Sequence, residues 1–95
     1  MENDPYSEMI DEQWDNITAM YGLFEDKSPI IEFDVTDGKI YSYPADDYLE
    51  TLSARTRTQA KQQYREATRN GQFMLFVKDS KNRKFRSYIF NVSED

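Results

Sequence analysis

The chain contains no cysteine and no histidine among its 95 residues. The first absence excludes disulfides, thiolate metal sites and cysteine nucleophiles; the second removes the commonest general base and metal ligand. Catalysis would have to draw nucleophile and base from Ser, Thr, Tyr, Lys and carboxylates alone, and no spacing in the sequence singles such a pair out. The chain therefore reads as non-enzymatic, with no metal and no cofactor expected. Long apolar runs are missing as well. The longest, Phe73 to Val77, is far short of the roughly twenty residues that span a bilayer. The opening MENDPYSEMIDEQ lacks the basic and apolar regions of a secretory signal. A cytoplasmic protein with no membrane partner is expected, and the glycosylation patterns at Asn16-Ile17-Thr18 and Asn91-Val92-Ser93 are coincidences of a short motif.

Glycine and proline are scarce, three of each, and every one falls where an element should begin or end. Asp4-Pro5 starts a helix, because Asp accepts a bond from a first-turn amide and Pro at the first position lacks only an amide that would be unpaired anyway. Tyr6, Ile10, Trp14, Ile17, Tyr21 and Phe24 then recur at spacings of four, four, three, four and three, one stripe of a helix, widened by Met9 and Met20. Glu8, Asp11, Glu12, Asp15 and Asn16 occupy the opposite side, as a solvated outer face would. Gly22 is expected as a left-handed C-terminal residue with Leu23 folding back.

After the polar connection from Glu25 to Pro29, Ile31, Phe33 and Val35 alternate with polar neighbours as a half-buried strand. Asp37-Gly38 turns it into Lys39–Tyr43, a hairpin. An EF-hand loop with Gly38 as its glycine would need oxygen ligands where Phe33 and Val35 stand, so calcium is excluded there. Pro44 ends the second strand. Asp46, Asp47 and Glu50 suit a helix N-terminus, with Asp47 and Glu50 at capping-box separation. A short helix to about Leu52, a break, and a longer helix capped by Ser53 and stopped by Asn70-Gly71 follow. Gln72–Lys78 is apolar on both faces, the pattern of a central strand. A turn from Asp79 to Arg83 leads into a last strand, Lys84–Val92, and residues 1–3 and 93–95 are expected to fray.

The expected fold is a single α+β domain over residues 1–95, of αββαββ order. Its four-stranded, largely antiparallel sheet carries the helices packed on one face. Trp14, Ile17 and Tyr21 should pack against Phe33, Leu75 and Ile89. Aromatics left exposed on the other face would suit a dimer or partner surface.

The charge is polarised. The net charge is −6, but residues 1–52 hold two basic and fourteen acidic side chains, net −12, while residues 53–90 hold ten basic and two acidic, net +8. On the long helix Arg57, Lys61, Arg65 and Arg69 recur every four residues as a slanting ridge about 18 Å long. Arg55 extends the ridge, and Lys81, Arg83, Lys84 and Arg86 surround the last hairpin. These eight residues (Arg57, Lys61, Arg65, Arg69, Lys81, Arg83, Lys84, Arg86) are the candidate site for an anionic partner. The plainer account is that helix 1 lies beside the basic helix and neutralises it. Two functional classes follow. A small non-catalytic protein-binding or regulatory module, self-associating or binding a protein partner, is favoured. The alternative is a nucleic-acid binder using the ridge and hairpin on phosphates, which the negative net charge disfavours.

Overall fold

The computed structural model describes residues 4–22 and 29–91. The expected fraying of residues 1–3 and 93–95, the folding back of Leu23, the place of Phe24 on the helical stripe and the connection 25–28 lie outside the described residues. Asp4 caps α1 (Pro5–Glu12), its Oδ1 accepting from the Tyr6 N–H at 2.9 Å, with Pro5 in the first turn. The expected first helix is broken once, at Gln13 (φ −101°, ψ 11°), and resumes as α2 (Trp14–Tyr21). Gly22 has φ −68°, an ordinary right-handed value, so the expected left-handed exit is not made there.

The remaining elements are β1 (Ile30–Asp34), β2 (Lys39–Tyr43), α3 (Ala45–Glu50), α4 (Ala54–Arg69), β3 (Gln72–Asp79) and β4 (Lys84–Asn91). The β1–β2 turn is built as expected. Gly38 has φ +73°, the Asp34 side chain accepts from Thr36 N–H, and the Asp37 side chain accepts from Lys39 N–H. Ser53 Oγ accepts from the Thr56 N–H to start α4, and Gly71 at φ +70° ends it. The capping box at α3 is not formed: its N-cap is Pro44, which has no side-chain acceptor.

The sheet order is β2-β1-β3-β4, with β1–β2 and β3–β4 antiparallel and β1–β3 parallel. The α+β class, the element order and the largely antiparallel sheet therefore stand. The placement of the helices on one face is corrected, because they cover both. Phe73, Leu75 and Val77 of β3 join Ile31 and Phe33 of β1 in a core closed by Tyr6, Ile10 and Ile17 from α1 and α2. Met74 and Phe76 join Ile30 in a second core closed by Ala45, Tyr48 and Leu49 of α3 and Ala60 of α4. The reason is visible in β3 itself, whose residues from Phe73 to Val77 are all buried. A strand apolar on alternate and intervening positions needs cover on both sides. β1 lies beside β3, so Ile30 and Ile31 are both fully buried, and β1 is more than the half-buried strand expected.

Ile17 packs with Phe33 and Leu75 as expected, and Trp14 and Tyr21 are half-buried around it. Ile89 is corrected. It pairs with Met74 and faces the α4 side, and it is exposed, whereas Tyr88 and Phe90 face α1 and α2. Met9 is likewise exposed and Met20 half-buried.

Candidate interaction surface: edge strand β4 and basic helix α4

Strand alternation gives β4 two unlike faces. Lys84, Arg86, Tyr88 and Phe90 point to the α1–α2 side; Phe85, Ser87 and Ile89 point to the α3–α4 side. The first side is tied down by two phenol–carboxylate bonds. Tyr88 Oη donates to Asp4 Oδ2 at 2.6 Å, and Tyr6 Oη donates to the buried Asp79 Oδ2 at 2.7 Å. Asp79 also accepts from Asn82 side chain and backbone, and the Arg86 guanidinium lies 3.7 Å from Asp4 and 5.9 Å from the Tyr6 ring centre. These bonds favour charged carboxylates and neutral phenols. Asp4 is held below its usual range first by the Tyr88 hydroxyl, then by the Tyr6 amide; Asp79 is lowered first by the Tyr6 hydroxyl. Tyr6 is raised by its bond to Asp79, and burial together with Asp4 pushes Tyr88 up to about 12.

On the other side α4 lies over β3 and meets β4 at Ser87, whose Oγ donates to Gln63 Oε1 at 3.4 Å. Phe85 stacks on Phe76, ring centres 5.1 Å apart, yet remains 42% exposed, and Ile89 is 37% exposed. Phe85 ends a file of rings running from Tyr43 through Tyr48 and Phe76 across this face. Between α4 and β4 runs an open groove of about 190 Å³, floored by Phe76 and Phe85 and walled by Thr56, Gln59 and Gln63. β4 is also an edge of the sheet, so one side of its backbone has no strand partner among the described residues.

The eight basic candidates do not form one surface. Arg57, Lys61, Arg65 and Arg69 lie on α4, on one side of the sheet. Arg86 contacts Asp4 and Tyr6 on the other side, Lys84 shares its face, and Lys81 and Arg83 sit in the turn between β3 and β4. Arg83 takes φ 56°, an unusual left-handed value for a side chain of its size. Neutralisation by helix 1 is also corrected, since α1 and α2 lie across the sheet from α4. The counter-charge comes from α3, where Glu50 reaches Arg57 at 3.9 Å and Lys61 at 3.7 Å. Arg57 additionally donates to the Leu52 carbonyl at 2.9 Å. Arg65 and Arg69 are exposed and make no ion pair among the described residues.

Comparison of the chain with protein families, curated proteins and solved structures found no match. Among the described residues no helix is long and apolar enough to cross a membrane, and no three acidic side chains gather to hold a metal ion. Sequence reasoning missed Phe85 and Ile89 as surface residues. The one signal for them was the strict alternation of Lys84 and Arg86 with Phe85 in the last strand, which marks a strand wet on at least one face.

Proposed function

We propose that the protein is a small non-catalytic protein-binding module that takes an extended polypeptide along β4. One observation carries this reading: β4 is an eight-residue edge strand whose Phe85 and Ile89 lie exposed on one face. An added strand would satisfy the open backbone edge, and its side chains would cover the two apolar groups, which is how strand addition divides affinity from specificity. Amide hydrogen exchange tests it. The outward-facing amides of β4 should become protected when protein concentration is raised, or when a peptide selected from a random library is added. That protection should be lost in Phe85→Lys. Exchange in β4 indifferent to both additions would overturn the reading.

A second reading, nucleic-acid binding by α4, is favoured by one separate observation: acidic α1 and α2 lie on the opposite face, and Arg65 and Arg69 are exposed without an ion-pair partner among the described residues. It ranks second because Glu50 already engages Arg57 and Lys61, and because Lys84 and Arg86 face away from the ridge.

A further inference from the structure

We infer that the strand received by β4 is β4 of a second copy of this chain, paired antiparallel about a two-fold axis through Ser87. This deepens the protein-binding reading and rests on it. A two-fold axis that makes neighbouring strands antiparallel stands perpendicular to the sheet, so it keeps each face of one copy beside the same face of the other. Opposed residues must then share a face, and since side chains alternate with a period of two, the axis must pass through a residue.

Only a few axes remain, and the side chains choose among them. An axis at Ser87 sets Phe85 opposite Ile89 of the second copy, and Ile89 opposite its Phe85, so the exposed large apolar side chains of the strand cover each other twice. It sets Arg86 opposite Tyr88 of the second copy, whose hydroxyl is bonded to Asp4, so each guanidinium approaches an aromatic ring backed by a carboxylate. Lys84 meets Phe90, and no basic side chain stands directly opposite another. An axis at Arg86 would set Arg86 against Arg86, and like charges directly opposed destabilise a sheet. An axis at Tyr88 would set Phe85 against Asn91 and leave the apolar pairs unmade. The result at Ser87 is one continuous eight-stranded sheet with an apolar band between the two α4 helices. An interface built mainly from one strand edge is small, so the dimer should dissociate on dilution.

Directly opposed residues of an antiparallel pair have α-carbons about 4.5–5.5 Å apart, within the span a disulfide accepts. The chain has no cysteine, so Ser87→Cys introduces a single thiol on the axis. Sedimentation equilibrium of the unmodified chain should show a concentration-dependent dimer, reduced at least tenfold in affinity by Ile89→Lys. Mild oxidation should link Ser87→Cys into a covalent dimer, while Phe85→Cys and the outer α4 variant Thr58→Cys should form no covalent dimer. Thermal melts of each variant confirm the fold, since all four positions are exposed. A chain monomeric at every concentration, or a dimer indifferent to Ile89→Lys with no selective linkage at position 87, would overturn the inference. In the monomeric case, protection of β4 amides by a library-selected peptide would keep the broader protein-binding reading, and its absence would remove that too.

Discussion

The two faces of the sheet are covered to different extents. On the α1–α2 side the helical cover reaches the edge strand: Trp14 meets Phe90 edge-on with ring centres 5.0 Å apart, and Tyr88 is bonded to Asp4. On the α3–α4 side α4 touches β4 through the Ser87–Gln63 hydrogen bond, yet Phe85 and Ile89 are left half in water. The helices on the two sides also differ in charge. Residues 4–22, which form α1 and α2, contain five acidic and no basic side chains, whereas α4 carries five basic and one acidic. The sheet thus separates an acidic layer from a mixed one, in which α3 with Asp46, Asp47 and Glu50 lies beside basic α4, and one edge strand borders a closed face and an open one. Burial on one side and exposure on the other, within a single strand, is what makes β4 both an anchor and a candidate docking edge.

The sharpest way to break the comparison is to truncate one phenylalanine from each face. Phe73, fully buried under α2, should cost about 3–5 kcal/mol as Phe73→Ala. Phe85→Ala on the open face should cost about 1 kcal/mol or less, since much of its area is already in water. Denaturant midpoints would read both, and equal costs would show that the α4 side is closed in solution. Trp14→Ala should fall between them at about 2–3 kcal/mol, because the indole is half-buried between Phe73 and Phe90. An unchanged midpoint would make α1–α2 an appendage.

A polar contact on the α3 side comes next. Tyr48 Oη donates to Glu32 Oε2 at 2.8 Å, and burial is the main cause that raises the phenol, followed by that bond. Tyr48→Phe leaves the half-buried carboxylate without this donor and should cost about 1–2 kcal/mol. No loss would mean that water serves Glu32 equally well.

Replacing Arg57, Lys61, Arg65 and Arg69 together by Gln keeps helix propensity and removes the ridge. Its effect on stability should be small, about 1 kcal/mol or less for each pair with Glu50, whose side chain is 64% exposed. Fluorescence anisotropy with single- and double-stranded DNA should detect no binding by the unmodified chain at physiological salt. Binding that fell with salt at a log–log slope of about −0.7 to −0.9 per phosphate, and vanished in the Gln variant, would raise the nucleic-acid reading to first place.

The smallest effect tests the closed face by acid titration. Asp4 and Asp79 are lowered from an ordinary 3.8 by their tyrosine partners. A carboxyl group depressed in the folded state contributes stability that is complete above its unfolded value and is lost as pH falls through the folded one. Stability should therefore hold down to about pH 4 and decline below it. In Tyr6→Phe/Tyr88→Phe that acid-side decline should be shallower. An identical profile would assign the acid sensitivity to other carboxylates.

Much of the local structure was legible in particular residues. Asp4-Pro5, Asp37-Gly38, Ser53 and Asn70-Gly71 act through backbone chemistry within a few residues, so their caps and turns could be read without knowing the fold. The apolar run Phe73–Val77 announced a central strand for the same reason: five consecutive buried side chains need cover on both faces whatever supplies it. What remained open was how two hairpins join. Pairing β1 with β3 in parallel sends α3 and α4 over one face and leaves the other to α1 and α2, and no local signal separates that from both helix sets on one side. The same step decided that acidic α1 and α2 lie across the sheet from basic α4 and that Ile89 faces outward. It also left the outer edge of β4 open, with Phe85 and Ile89 beside it. Periodicity and turn chemistry are short-range and follow from the sequence; which faces are covered, and where cover runs out, depends on contacts between residues far apart in the chain.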